Sequence, residues 1–152
     1  MSIEIDTAEI SFSLPDCWIH KPQDDDSLYF EREDGFWGAY IKSLHFDSAD
    51  ETRSPEEVAA HIQEVHQNAF VGRPKTQWQV SARTAEKSED TATSTLDLHD
   101  QSNRYRIVSH VRVRGRRATQ LTLHHYLCDS TVESEGESTQ ILLTIRWKRA
   151  DA

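Results

Sequence analysis

Eight histidines, two cysteines and 26 carboxylates are the side chains of this chain that could hold a metal, attack a substrate or move a proton. Their spacing argues against each. His61 and His66 fall in a helix-forming stretch but five residues apart, about 140° around the axis, so they cannot share a ligand face as an i, i+4 pair would. His124 and His125 are neighbours in an alternating stretch and point to opposite sides of a strand. Cys17 with a histidine and an acid is the conceivable nucleophile, since triads assemble in space rather than in sequence. No flanking pattern marks it, and a cysteine-dependent hydrolase is the outsider among the readings. The five glycines are scattered and form no phosphate loop. Asp24-Asp25-Asp26 and Glu31-Arg32-Glu33-Asp34 gather carboxylates where solvated loops and edges are expected. The chemistry of this set therefore predicts no catalytic residue, no metal and no cofactor.

Three other groups of residues suit binding. Arg104, Arg106, His110, Arg112 and Arg114 recur on one face of an alternating stretch that runs on into Arg116 and Arg117. The ordinary reading is an outward sheet face balanced by acids such as Glu31 and Glu33, each exposed pair contributing little. The functional reading is a docking surface for an acidic partner, and the ordinary one is preferred. Phe36-Trp37-Gly38 places two large aromatics beside a turn; if one is exposed it is a natural interface anchor. Asp24, Asp25 and Asp26 would meet a basic partner.

The elements that must position these groups follow from pattern. Glu9–Leu14 alternates, with Ile10, Phe12 and Leu14 on one face, and Pro15-Asp16 ends that strand. His20–Ser27 reads as a loop, Ser27–Glu33 as a second strand turned by Asp34-Gly35, and Phe36–Phe46 as a third. Ser54-Pro55-Glu56-Glu57 offers an N-cap serine, a proline at the first helical position and a glutamate at N3. Val58, Ile62 and Val65 follow as a narrow apolar stripe in a helix reaching about Gln67, before Gly72-Arg73-Pro74. Trp78–Ala82 alternates, and Lys87–Thr95 reads as a loop or an exposed strand start leading into Leu96-Asp97-Leu98. Arg104–Arg114 and Arg117–Cys128, joined at Gly115-Arg116, form a β-hairpin. The closing segment, residues 138–149, fits two readings. Ile141–Trp147 alternates as a strand, while Ile141, Leu142 and Ile145 make a helical stripe preceded by Glu133, Glu135 and Glu137.

At 152 residues the chain, 1–152, fits a single domain, with no internal repeat. Mean hydropathy is −0.71, yet four tryptophans and 9% aromatic content argue for a packed core. No apolar run approaches a membrane span, and Met1–Asp6 is acidic with no basic, then apolar, leader pattern. A cytoplasmic protein with two reduced thiols, Cys17 and Cys128, is expected. A net charge of −9 repels phosphate backbones and anionic lipid, so neither nucleic acid nor membrane is the expected partner.

The order strand, Leu-Pro-x-x-Trp, strand, strand, helix, antiparallel strands and a terminal amphipathic segment resembles the Mog/PsbP/DcrB-like α+β family. Phe12-Ser13-Leu14-Pro15-Asp16-Cys17-Trp18, the pair Tyr29-Phe30, Ser54-Pro55-Glu56-Glu57 and Ile141-Leu142-Leu143-Thr144-Ile145 carry the resemblance over nearly the whole chain. Asp16-Cys17 departs from a pattern that has glycine just before the tryptophan. The resemblance implies a twisted antiparallel sheet with one helix after the third strand and a C-terminal helix. It also implies a non-enzymatic binding role, since members include a Ran-binding import factor, photosystem-associated proteins and bacterial chaperones for secreted effectors. Fold analogy does not choose among such roles. The expected function is therefore protein binding, as an immunity protein against a cognate bacterial toxin or, alternatively, as a chaperone or adaptor for a secreted effector.

Overall fold

The computed structural model describes residues 2–15, 17–45 and 53–148. Asp16 and Phe46, expected at the ends of two strands, and Arg149 at the end of the closing segment lie outside the described residues.

The fold is α+β, built on two antiparallel sheets. The smaller has β1 (Ser2–Asp6), β2 (Ile10–Pro15) and β10 (Arg146–Trp147) in the order β1-β2-β10. The larger comprises β3 (Trp18–Lys21), β4 (Leu28–Arg32), β5 (Trp37–His45), β6 (Trp78–Ser88), β7 (Thr91–Asp100), β8 (Tyr105–Arg114) and β9 (Arg117–Tyr126). Its order is β3-β4-β5-β9-β8-β7-β6. Helices α1 (Pro55–Phe70) and α2 (Thr131–Leu142) lie on opposite faces of this sheet.

Alternation decides which residues go where. On the α1 side, Val111 and Val113 of β8, Ala92 of β7 and Ala118 of β9 pack against Val58 and Ala59. Trp78, Leu96, Leu98 and Ile107 continue this layer, with Phe70 and Tyr105 against them. On the other side, Trp37, Ala39, Ile41, Val108, Leu121 and Leu123 meet Ile5, Ile10, Phe12 and Leu14 of the small sheet and Ile141 of α2.

The first expected strand and the hairpin form as read, and Gly115 turns the hairpin at φ 57°. Ser54 accepts a hydrogen bond from the Glu57 amide at 3.2 Å, so the capping box opens α1. Other details differ. Two strands, β1 and β3, are added, so His20 and Lys21 belong to a strand rather than to the loop. The strand beginning at Trp78 continues to Ser88, with every residue after Trp78 exposed. The stripe of α1 is also rotated. Val58, Ala59 and Gln63 are buried, whereas Val65 is 56% exposed. The closing segment divides: Leu142 ends α2 and Arg146-Trp147 forms a short strand. Glu133, Glu135 and Glu137 lie inside that helix rather than before it.

Candidate functional site

Because α1 packs over β6, β7 and β8, the same face of β5 and β9 is left beside it as a groove. The floor comes from even-numbered positions that share this face: Tyr40, Lys42 and Leu44 on β5, and Gln120, Thr122 and His124 on β9. His61, Ile62, Val65, His66 and Ala69 of α1 make the wall. The cavity is about 530 Å³. The rotation of α1 explains its apolar wall, since Val65 faces the groove instead of the sheet and Ile62 lines the groove while also packing against the sheet's core.

Among the described residues that line the groove none is a carboxylate, although the chain has 26. Burial lowers the His66 pKa, and burial together with His66 lowers that of His124 to about 4, so both imidazoles are neutral at pH 7. His124 Nδ1 is hydrogen-bonded to the Tyr105 hydroxyl at 2.8 Å. The Gln120 amide donates to His66 Nδ1 at 3.1 Å and to Ser109 Oγ at 2.9 Å. Lys42 is the cation on the rim. Such a surface suits apolar side chains flanked by an acidic or neutral group.

The arginine face of β8 is not the outward face expected from the sequence, because α2 and the small sheet cover it. Arg106 is 3% exposed. It donates to Asp97 from Nε at 3.0 Å and from Nη2 at 2.8 Å, and from Nη1 to Ser134 Oγ at 2.8 Å and Ser138 Oγ at 3.0 Å. Its role is to anchor α2, which excludes it from a docking surface. Arg112 is half-buried against Trp147. Arg114 is 3.6 Å from Asp90. Exposed Arg104 pairs with Asp129, at 2.5 Å, and exposed Arg116 sits in the hairpin turn. Among the described residues the acids paired with this hairpin's arginines are thus Asp97, Asp129, Asp90 and Glu9 rather than Glu31 and Glu33.

At the aromatic turn the two rings separate. Trp37 is 1% exposed, stacked on His125 at 4.1 Å, and donates from Nε1 to Glu137 at 2.8 Å, so it belongs to the core. Phe36 is 43% exposed and remains an available anchor. Asp24, Asp25 and Asp26 are exposed on the β3–β4 loop. Asp25 accepts from the Ser27 hydroxyl and amide, which hold its carboxyl below the usual carboxylate pKa.

Cys17 is exposed, Cys128 is buried, and both are free thiols. Among the described residues no group of three histidines, cysteines or carboxylates is placed to hold a metal. No helix among them is long and apolar enough to cross a membrane. Sequence reasoning missed the groove because a surface cleft is a property of where α1 lies. Its one available signal was Val65, an apolar residue that the sheet leaves uncovered.

No known family profile matches the sequence, and no curated protein matches it. Solved structures do. A crystal structure from Bacteroides thetaiotaomicron is 13% identical with a TM-score of 0.47, over 93% of this chain and 46% of that one. The solution structure of cyanobacterial PsbP (CyanoP) from Synechocystis sp. PCC 6803 superposes with a TM-score of 0.69 at 11% identity, over 97% of this chain and 92% of that one. The chain has the PsbP-like α+β fold.

Proposed function

We propose that this chain is a non-enzymatic, cytoplasmic protein-binding domain that holds an apolar segment of a secreted bacterial effector, as its chaperone or adaptor. The observation that carries the reading is the groove beside α1. Its wall offers Ile62, Val65 and Ala69, and the described residues that line it include no carboxylate in a chain of net charge −9. An apolar segment laid there removes the exposed Val65 from water, the largest general source of binding energy. A carboxylate beside that segment would meet Lys42.

The test is co-expression with a candidate secreted effector from the same genome. Val65→Glu changes a side chain that is already exposed, so the fold survives and the effector is expected to lose solubility and co-purification. Normal effector accumulation with Val65→Glu and with Ile62→Asp overturns the proposal.

Immunity is the second reading, favoured by exposed Asp24 and Asp26 and by exposed Phe36 at the β4–β5 turn. It predicts protection from a neighbouring toxin that is lost with Asp24→Asn/Asp26→Asn and kept with Val65→Glu.

A further inference from the structure

On the sheet face opposite the groove, where the hairpin turn meets the small sheet, four cations converge on one small cleft. Arg112 and Arg114 point the same way from β8. Arg117 of β9 stands directly opposite Arg114, and Thr119 directly opposite Arg112. Lys148, whose amide donates to the Glu9 carbonyl at 3.0 Å, lines the cleft beside Ala8 and Glu9 of the β1–β2 turn. The cleft is about 100 Å³, roughly the volume of three waters.

Like charges opposite one another across a ladder are destabilising, so this arrangement needs counter-charge. What the described residues supply is incomplete. Glu9 is 3.8 Å from Arg117, Asp90 is 3.6 Å from Arg114, and Asp6 is 2.5 Å from Lys148. Arg112 has no carboxylate of the described residues within ion-pair distance. Its guanidinium lies 5.2 Å from the Trp147 ring centroid and donates to the Lys148 carbonyl at 3.3 Å. Burial, and then the neighbouring Arg114, pull its pKa below the usual arginine value, against an upward pull from Asp90.

We propose that Arg112, Arg114, Arg117 and Lys148 form a binding site for one phosphate-sized oxyanion. Guanidinium forks from two strands, with Lys148 beside them in the lining, offer donors in more than one orientation, which suits a tetrahedral dianion better than a planar carboxylate. The cleft is too small for a nucleotide. The phosphate is either free in solution or carried as a small monoester.

The experiment is calorimetric titration of the full chain with inorganic phosphate, at ionic strength held constant with sodium chloride. Saturable one-site binding is expected, weakened on the order of tenfold in Arg114→Gln and in Arg112→Gln. Arg114→Gln is the primary variant, because that side chain is one-third exposed and its loss leaves the core intact. A parallel titration with O-phosphoserine separates the sources. Tighter binding of the monoester assigns the site to an esterified phosphate, and tighter binding of inorganic phosphate to the free ion. Heats that never saturate, or equal affinity in the wild type, Arg114→Gln and Arg117→Gln, overturn the proposal.

Discussion

Arg106 and Asp97, on neighbouring strands β8 and β7, form a two-point ion pair whose side chains are 4% and 13% exposed. The remaining guanidinium nitrogen is committed to Ser134 and Ser138, so one arginine joins the sheet to α2. Breaking such a pair from one side strands a buried charge, which costs about 3–5 kcal/mol. Arg106→Met is therefore expected to lower the urea midpoint substantially at unchanged m-value, and Arg106→Met/Asp97→Leu to recover much of the loss. A double variant no better than the single would show that the serine contacts, not the ion pair, dominate.

Gly38 is a glycine because of Tyr29. A Cβ at position 38 would lie 2.5 Å from the Tyr29 hydroxyl oxygen and 2.8 Å from Cε1. That ring is held by the hydroxyls of Tyr126, at 3.2 Å, and by Glu31, at 3.0 Å. Gly38→Ala is expected to destabilise by about 1–3 kcal/mol, the usual cost of overpacking. In a double-mutant cycle with Tyr29→Ala most of that penalty should vanish, and additive effects would refute the steric account.

Burial lowers the pKa of His66, His110, His124 and His125. Between the ordinary histidine value of 6.5 and the value of about 4 reached by His124, the unfolded chain binds more protons than the folded one. Stability is thus complete above pH 6.5 and falls as the pH drops through this window, by at most about 1.4 kcal/mol per pH unit per histidine. Carboxylates such as Asp34, held low by its hydrogen bonds from Arg32, lose their contribution only further into acid. Thermal melts from pH 7.5 to 4.5 should show the decline, with a shallower slope in His124→Gln. A flat profile would refute it.

Cys17 occupies the left-handed region at φ 75°, the place just before Trp18 where the related sequence pattern carries glycine. The conformation costs a residue with a Cβ about 1–2 kcal/mol, part of which glycine returns through its freer unfolded chain. Cys17→Gly is accordingly expected to raise the melting temperature, by up to about 1 kcal/mol of stability. Equal or lower stability would place the backbone constraint elsewhere.

What the sequence makes legible are elements with strong local signals. The α1 capping box, the alternation of Ile10, Phe12 and Leu14, and the Gly115-Arg116 hairpin are all physical instructions within a few residues of each other. The helix α2 was harder because its buried face is Ser134, Ser138 and Ile141, a helical spacing written mostly in serines. Ser130 caps the Glu133 amide at 3.3 Å, so Ser130-Thr131-Val132-Glu133 was a second usable start signal. The arginine face of β8 was misjudged for a different reason. Charged residues on alternate positions read as solvent-facing unless their partners are known, and Asp97, Ser134, Ser138 and Trp147 come from three other elements. The groove and the oxyanion cleft exist only once those elements are assembled.

Strand β6 bounds the large sheet with ten exposed residues after Trp78, among them Arg83, Glu86 and Lys87, and its register shifts between Val80 and Ala82. Charges and a register irregularity on an outermost strand are how sheets discourage another chain from docking onto their free amides and carbonyls. The opposite boundary, β3, offers only four residues. Lateral growth of the sheet by a foreign strand is therefore discouraged at both ends, and any partner is steered toward side chains on the broad faces, where recognition depends on sequence rather than on backbone alone.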